Sequence, residues 1–228
     1  MRGNFMRSVV FKSAPRCPRC QLRPRWCICG AQRDIVMPLA VDLLVHHREQ
    51  YRPSSTGNLI KRVVPATRQH IWRRERRMTA EEVRIPGREL WILHPRGEPL
   101  PSGAKPESVQ ILLLDGSWRE TSAMAQEIGN WGRTVSLPPI GESRYWLRDQ
   151  ADVRRFSTIE ALLSLLRGFG LEQAHDALSR QFELHVYASL RARGHRELAE
   201  KYLATSPITA AFPEVMAALN LKRPVEDG

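Results

Sequence analysis

The chain has 228 residues, 42% of them hydrophobic and 26% charged, the balance of a soluble globular protein with one substantial core and room for a small appendage. No apolar run approaches a membrane span, and Met1 to Phe11 lacks the apolar centre of a signal peptide, so the expectation is a cytoplasmic protein with no membrane partner. The net charge of +11, carried mostly by arginine, favours nucleic acid over an anionic membrane, because the planar guanidinium suits phosphates and stacked bases and no long basic amphipathic helix is evident.

All four cysteines fall between Cys17 and Cys29, in the spacing C-x2-C-x6-C-x-C. Cys17, Cys20, Cys27 and Cys29 can converge tetrahedrally on one Zn2+ while Pro18 and Pro24 stiffen the loop. Disulfides are disfavoured in a reducing compartment, and the Cys27-x-Cys29 step is tight for ferredoxin-type iron–sulfur patterns, so zinc is the favoured reading. Four thiolates would fill its coordination and make the metal structural. Arg16, Arg19, Arg23, Arg25 and Trp26 interleave with these ligands and would offer cations and a ring to an RNA backbone. Residues 1–33 are therefore expected to form a zinc-knuckle arm.

From Asp34 to Val45 the pattern predicts the first strand of the main sheet, followed by His46, His47, Arg48, Glu49 and Arg52. That run is either a substrate-facing loop or a solvated turn. Ser54-Ser55-Thr56-Gly57-Asn58 ahead of Leu59, Ile60, Val63 and Val64 predicts an N-capped helix whose free N–H groups can receive a phosphate or carboxylate. Arg68 to Arg77 is an arginine-rich patch that includes His70, Trp72, Arg73 and Arg74; it reads by default as a solvated helical face, and otherwise as an RNA contact. Leu90 to Leu93 is a short strand, and a polar loop from Arg96 to Glu107 leads to Val109.

Ile111-Leu112-Leu113-Leu114 is stopped by Asp115-Gly116 and continued by Ser117-Trp118 at helical spacing, which predicts a buried parallel strand turning into a helix from Trp118 to about Ile128. Such a strand delivers Asp115, Ser117 and Trp118 to the carboxyl edge of an α/β sheet, where ligands sit. The Trp118 face suits a purine or a sulfonium cation; the plainer alternative packs Trp118 in the core and uses Asp115 or Ser117 as a helix cap.

Gly129-Asn130 ends that helix, Thr134 to Leu137 begins another strand, and Pro138-Pro139-Ile140-Gly141 opens a loop carrying Ser143, Tyr145, Leu147 and Arg148. Ser157-x-x-Glu160 is a capping box before an apolar helix closed by Gly168 and Gly170. A long helix is expected from Leu171 to Arg193, with His185 as a core histidine, and another from Glu197 to Leu203. Residues 34–205 thus read as one α/β domain with mainly parallel strands, and 206–228 as a tail without a motif. No Walker loop or G-x-G-x-x-G fingerprint points to ATP or a dinucleotide.

Taken together, the motifs resemble the DTW-domain family of tRNA-uridine aminocarboxypropyltransferases. Asp115-Gly116-Ser117-Trp118 resembles its Asp-x-Thr-Trp signature, with serine in place of threonine. His46, Glu49 and Thr56 follow its pattern, whereas His47 replaces a proline and Ser55 an asparagine; Ser143 to Arg148 and Ser157 to Ala161 agree in order. The likeness covers roughly residues 15 to 200.

The resemblance implies a SPOUT-like fold with a C-terminal knot and S-adenosylmethionine as donor. The expected reaction moves the 3-amino-3-carboxypropyl group to N3 of a tRNA uridine and releases 5′-methylthioadenosine. Leu114, Asp115, Ser117, Trp118, Ser143, Tyr145, Leu147 and Arg148 would line the donor pocket, with Asp115 as base or orienting group and Trp118 beside the sulfonium. The candidate tRNA contacts are Arg23, Arg25, Arg48, Arg52, Thr56, Arg73 and Arg74, and the same four cysteines would hold zinc. An RNA methyltransferase with the same donor, and a non-catalytic zinc-stabilised RNA-binding protein, are the alternatives.

Overall fold

The computed structural model describes residues 15–138, 141–148 and 156–221. The apolar runs form a five-stranded sheet made of β1 (Ala40–His46), β2 (Arg68–Trp72), β3 (Glu89–Pro99), β4 (Val109–Asp115) and β5 (Arg133–Ser136), in the order β2-β1-β4-β3-β5. Every pairing is parallel, so each return needs a crossover, and helices supply most of them. The helices are α1 (Thr56–Val63), α2 (Ala80–Val83), α3 (Trp118–Ile128), α4 (Thr158–Gly168), α5 (Glu172–Ala192), α6 (Arg196–Leu203), α7 (Ile208–Ala211) and α8 (Pro213–Asn220).

Strand β4 is central because successive side chains point to opposite faces and both faces are covered. Ile111 and Leu113 join Leu59, Ile60, Ile159, Leu162 and Phe182 in the larger core, under α1, α4 and α5. Leu112 joins Leu44, Ile92, Met124 and Ile128 in the smaller core, under α3. An unbroken apolar run was the only pattern that could satisfy both layers. Helix α3 starts where Ser117 and Glu120 close a reciprocal capping box, and α4 starts with the same device from Ser157 and Glu160.

Two expectations need correction. The first strand begins at Ala40 rather than Asp34; Ile35 and Leu39 are buried, yet Pro38, which has no N–H to donate, stands just before the pairing starts. Arg68 to Trp72 is a strand rather than a helical face. Its charged residues hide a period of two: Arg68 and His70 lie beside the buried Asp42, and Trp72 is buried against the smaller core. The chain then turns between Arg73 and Arg76.

The tail shows structure that no motif announced. Ile208, Met216 and Leu219 are buried in the larger core, and the Tyr187 hydroxyl of α5 donates to Asn220 at 2.8 Å. Among the described residues no helix is long and apolar enough to cross a membrane. Met1 to Phe11, Pro139, Ile140 and Pro224, all named above, lie outside the described residues.

Candidate active site and metal centre

Parallel register brings three strand ends to one edge of the sheet. Val45 pairs with Asp115 and His46 pairs with Trp72, so the segments leaving β1, β2 and β4 emerge side by side. Asp115 is buried at this edge, 5% exposed, and both carboxylate oxygens are held. The Ser55 hydroxyl donates to Oδ2 at 2.8 Å, and the Thr158 hydroxyl donates to Oδ1 at 2.7 Å. Ser55 also accepts from the Asn58 N–H as the N-cap of α1. Gly57 leaves room for the carboxylate: a Cβ there would stand 2.6 Å from Oδ2. Three segments far apart in sequence thus meet on one acid.

Ser117 works as a helix cap, accepting from the Glu120 N–H at 3.4 Å while its own N–H donates to Glu120 Oε2 at 2.8 Å. Trp118 follows as the first residue of α3 and is 38% exposed, so its ring is not sealed in the core. Glu120 also faces His46, with Oε1 3.2 Å from Nδ1. Burial pushes the Glu120 pKa up, but the Ser117 hydrogen bonds and the charges of His46 and Arg52 outweigh it and hold the group below its ordinary value. His46 is held below its ordinary value by burial, against the pull of Glu120.

The loop of residues 143–148 is fastened onto the same region. Tyr145 is buried, and its hydroxyl donates to the Ser54 carbonyl at 2.6 Å. Arg148 donates to Glu49 Oε2 at 3.1 Å, and Arg52 to Glu49 Oε1 at 2.6 Å. Glu49 is fully buried; burial raises its pKa, and the two guanidinium groups act in the opposite direction. Ser143 and the Arg144 N–H both donate to Glu160 Oε1 at 2.7 Å, and Arg193, which caps the C-terminal end of α5, donates to the Leu147 carbonyl. Leu114 to Trp118 and Ser143 to Arg148 are therefore joined through the loop between β1 and α1.

Residues 14–190 match the family model described as DTW domain. The chain belongs to the DTW-domain family. The matched stretch contains the cysteines, the loop after β1, the Asp115 element, the 143–148 loop and the start of α4. Membership is consistent with a role in tRNA modification. No solved structure matches the chain significantly.

Of the residues expected to meet tRNA in this DTW-domain protein, Arg48 and Arg52 are exposed on the loop after β1, and Arg73 and Arg74 are exposed just past β2, on the same edge as Asp115. Thr56 is buried, and its hydroxyl accepts from the Ile159 N–H at 3.4 Å. Arg23 and Arg25 are exposed on the arm; Arg25 donates to the Leu221 carbonyl and lies over the Trp26 ring. Among the described residues no contact joins either arginine to the Asp115 edge. The hydroxyls of Ser55 and Thr158 are missed as Asp115 donors by the sequence reading, because a serine or threonine before a helix signals only a cap.

The four cysteines converge as their spacing predicts. Cys17 Sγ lies 3.6 Å from Cys29 Sγ, Cys20 Sγ lies 3.7 Å from Cys27 Sγ, and all four sulfurs fall within 4.8 Å of one another. Sulfurs at tetrahedral positions around zinc would be about 3.8 Å apart, given ordinary Zn–S bonds of about 2.3 Å. The group could hold a metal such as zinc. Backbone N–H groups, that of Cys20 foremost, pull the Cys17 thiol down to about 6, whereas burial pushes the thiols of Cys20 and Cys29 up, so only Cys17 leans toward the thiolate before a metal binds.

Proposed function

We propose that this DTW-domain protein is a cytoplasmic tRNA-uridine aminocarboxypropyltransferase. It would use S-adenosylmethionine to place a 3-amino-3-carboxypropyl group on uridine N3, with release of 5′-methylthioadenosine. The observation that carries the reading is the Asp115 carboxylate, held on both oxygens beside an exposed Trp118, at the sheet edge where two loops of the family motif join. The bound donor supplies an electrophilic carbon next to a sulfonium, and it has two other such carbons, so orientation decides which one reacts.

Asp115 suits the orienting role. Each of its oxygens already accepts a hydroxyl hydrogen and keeps capacity for one further donor, such as the donor's ammonium or uridine N3–H. Trp118 presents a π face that favours a sulfonium cation. Leu114, Ser117, Ser143, Leu147 and Arg148 complete the pocket; Tyr145, its hydroxyl committed to Ser54, serves as a wall. The exposed Arg48, Arg52, Arg73 and Arg74 form the phosphate track nearest the site, Arg23 and Arg25 extend it from the arm, and Thr56 supports the loop. Zinc on Cys17, Cys20, Cys27 and Cys29 is structural. The knotted, SPOUT-like path of the chain belongs to the same proposal.

The test is mass spectrometry of nucleosides and small molecules after incubating the purified protein with unmodified bulk tRNA and S-adenosylmethionine. The expected products are aminocarboxypropyl-uridine and 5′-methylthioadenosine. A methylated nucleoside with S-adenosylhomocysteine would overturn the chemistry while keeping the donor, and RNA binding without donor binding would overturn both.

A further inference from the structure

At the other end of α1 from Gly57, about 8 Å along the axis, Arg62 points its guanidinium inward. Its Nε and one terminal nitrogen are buried and have no hydrogen-bond partner among the described residues. The residue as a whole is half-buried, yet buried guanidinium nitrogens without a partner need an explanation, because taking part of a cation out of water uncompensated is costly.

The surroundings narrow the answer. On α5, Gln181, His185 and Ser189 recur every fourth residue, so they share one face, and all are buried. The Gln181 amide donates to the Ala31 carbonyl at 2.9 Å, next to the buried Gln32 of the arm. Both ring nitrogens of His185, Oγ of Ser189, Oε1 of Gln181 and both amide atoms of Gln32 have no partner among the described residues. A polar seam therefore runs between the arm, α1 and α5.

None of these seam residues is an anion. His185 is fully buried and held neutral, with a pKa of about 3, by burial and then by the charges of Arg62 and Arg193. The groups that oppose the burial cost of Arg62 are the cysteine sulfurs, those of Cys20 and Cys29 most and that of Cys17 less, while the Arg19 cation works against it. A zinc ion with four thiolates carries two net negative charges, which the protein must balance from the layer outside the ligands.

We propose that Arg62 is the internal counter-cation of the four-cysteine metal centre and a positioning residue that couples the metal to α1. The helix that begins by seating Asp115 on Gly57 and Ser55 ends by neutralising the thiolates of the arm. The arm, α1 and α5 already share one hydrophobic core through Cys20, Leu22, Ile28, Leu59, Val63, Phe182 and neighbours; Arg62 adds an electrostatic tie to that packing. The inference rests on the reading of the cysteines as a zinc site, and the metal content of the wild-type protein tests that reading separately.

The experiment compares wild-type protein with Arg62→Met and Arg62→Lys. Zinc content is measured first, then the rate of zinc transfer to a chelating dye, then the thermal midpoint with and without chelator. Arg62→Met is expected to release zinc at least about tenfold faster, and Arg62→Lys to restore most of the difference. Chelation is expected to lower the midpoint of Arg62→Met by less than that of wild type, because only wild type is left with a half-buried, unbalanced cation. Should Arg62→Met fail to fold, amide exchange of residues 56–63 in zinc-loaded and chelated wild type takes its place, with faster exchange expected after chelation. Equal release rates and equal chelation shifts in Arg62→Met and wild type overturn the role of Arg62, as does unchanged exchange. A wild-type protein that binds no zinc overturns the metal reading and this inference with it.

Discussion

Gly57→Ala tests the seat of Asp115 more sharply than removal of the acid itself. The added Cβ would stand 2.6 Å from Oδ2 and 2.7 Å from Cγ, against ordinary contacts of about 3.4 Å or more, so the carboxylate must retreat by nearly 1 Å. The Ser55 and Thr158 hydrogen bonds start at 2.8 and 2.7 Å, and a retreat of that size takes at least one of them past about 3.2 Å, where little of it remains. Two terms then compete. Alanine is favoured over glycine by up to about 1 kcal/mol inside a helix. Overpacking a buried site costs about 1–3 kcal/mol, and a lost bond to a charged group about 1.5–3 kcal/mol. The second pair wins, so the variant should be destabilised by roughly 1.5–5 kcal/mol despite its better helix propensity. Urea unfolding at neutral pH reads that loss, and calorimetry with S-adenosylmethionine reads the displaced carboxylate as weaker donor binding. Stability at or above wild type with unchanged donor affinity would refute the reasoning.

Other changes probe other parts of the molecule. Asp115→Ala should abolish group transfer while leaving zinc content intact, and full activity in that variant would remove Asp115 from the chemistry. Trp118→Ala should weaken donor binding about tenfold, between the size of an exposed and of a fully desolvated cation–π contact, as measured by calorimetry; an unchanged affinity would take its ring out of the pocket. His185 has a folded pKa of about 3 against an ordinary value of 6.5, so below pH 6.5 the unfolded chain binds a proton that the folded protein refuses. Stability is thus full above pH 6.5 and is lost as pH falls toward 3, at up to about 1.4 kcal/mol per unit. Relative to His185→Gln, wild type should lose roughly 2–3 kcal/mol between pH 6 and pH 4 in urea titrations, and a flat difference would show that His185 takes up its proton in the fold.

Features carried by neighbouring residues could be read before any fold was known. The cysteine cluster spans thirteen positions, the capping boxes of α3 and α4 span four, and the turn from β4 into α3 is a single apolar run stopped by Asp115-Gly116. In each case spacing alone brings the groups together, so the sequence pattern and the geometry are nearly the same statement. The edge strand β2 escaped because pairing with β1, rather than its own hydrophobicity, holds it in place. The short helices α7 and α8 escaped because packing against α5, rather than an amphipathic repeat long enough to see, makes them stable.

The composition of the site lies beyond what one stretch of chain can show. Ser55 and Thr158 stand 60 and 43 positions from Asp115, and Glu49 stands 99 from Arg148, yet each pair is within hydrogen-bond distance. By itself the sequence determined the strand that delivers Asp115, the family to which the motifs belong and the metal-ligand spacing. The tertiary structure decided which hydroxyls hold the acid, which glycine makes room for it and which arginine of α1 turns its guanidinium inward. Parallel strands place their exits side by side only once the sheet has formed, and a buried charge acquires its partners only when distant segments exclude water together.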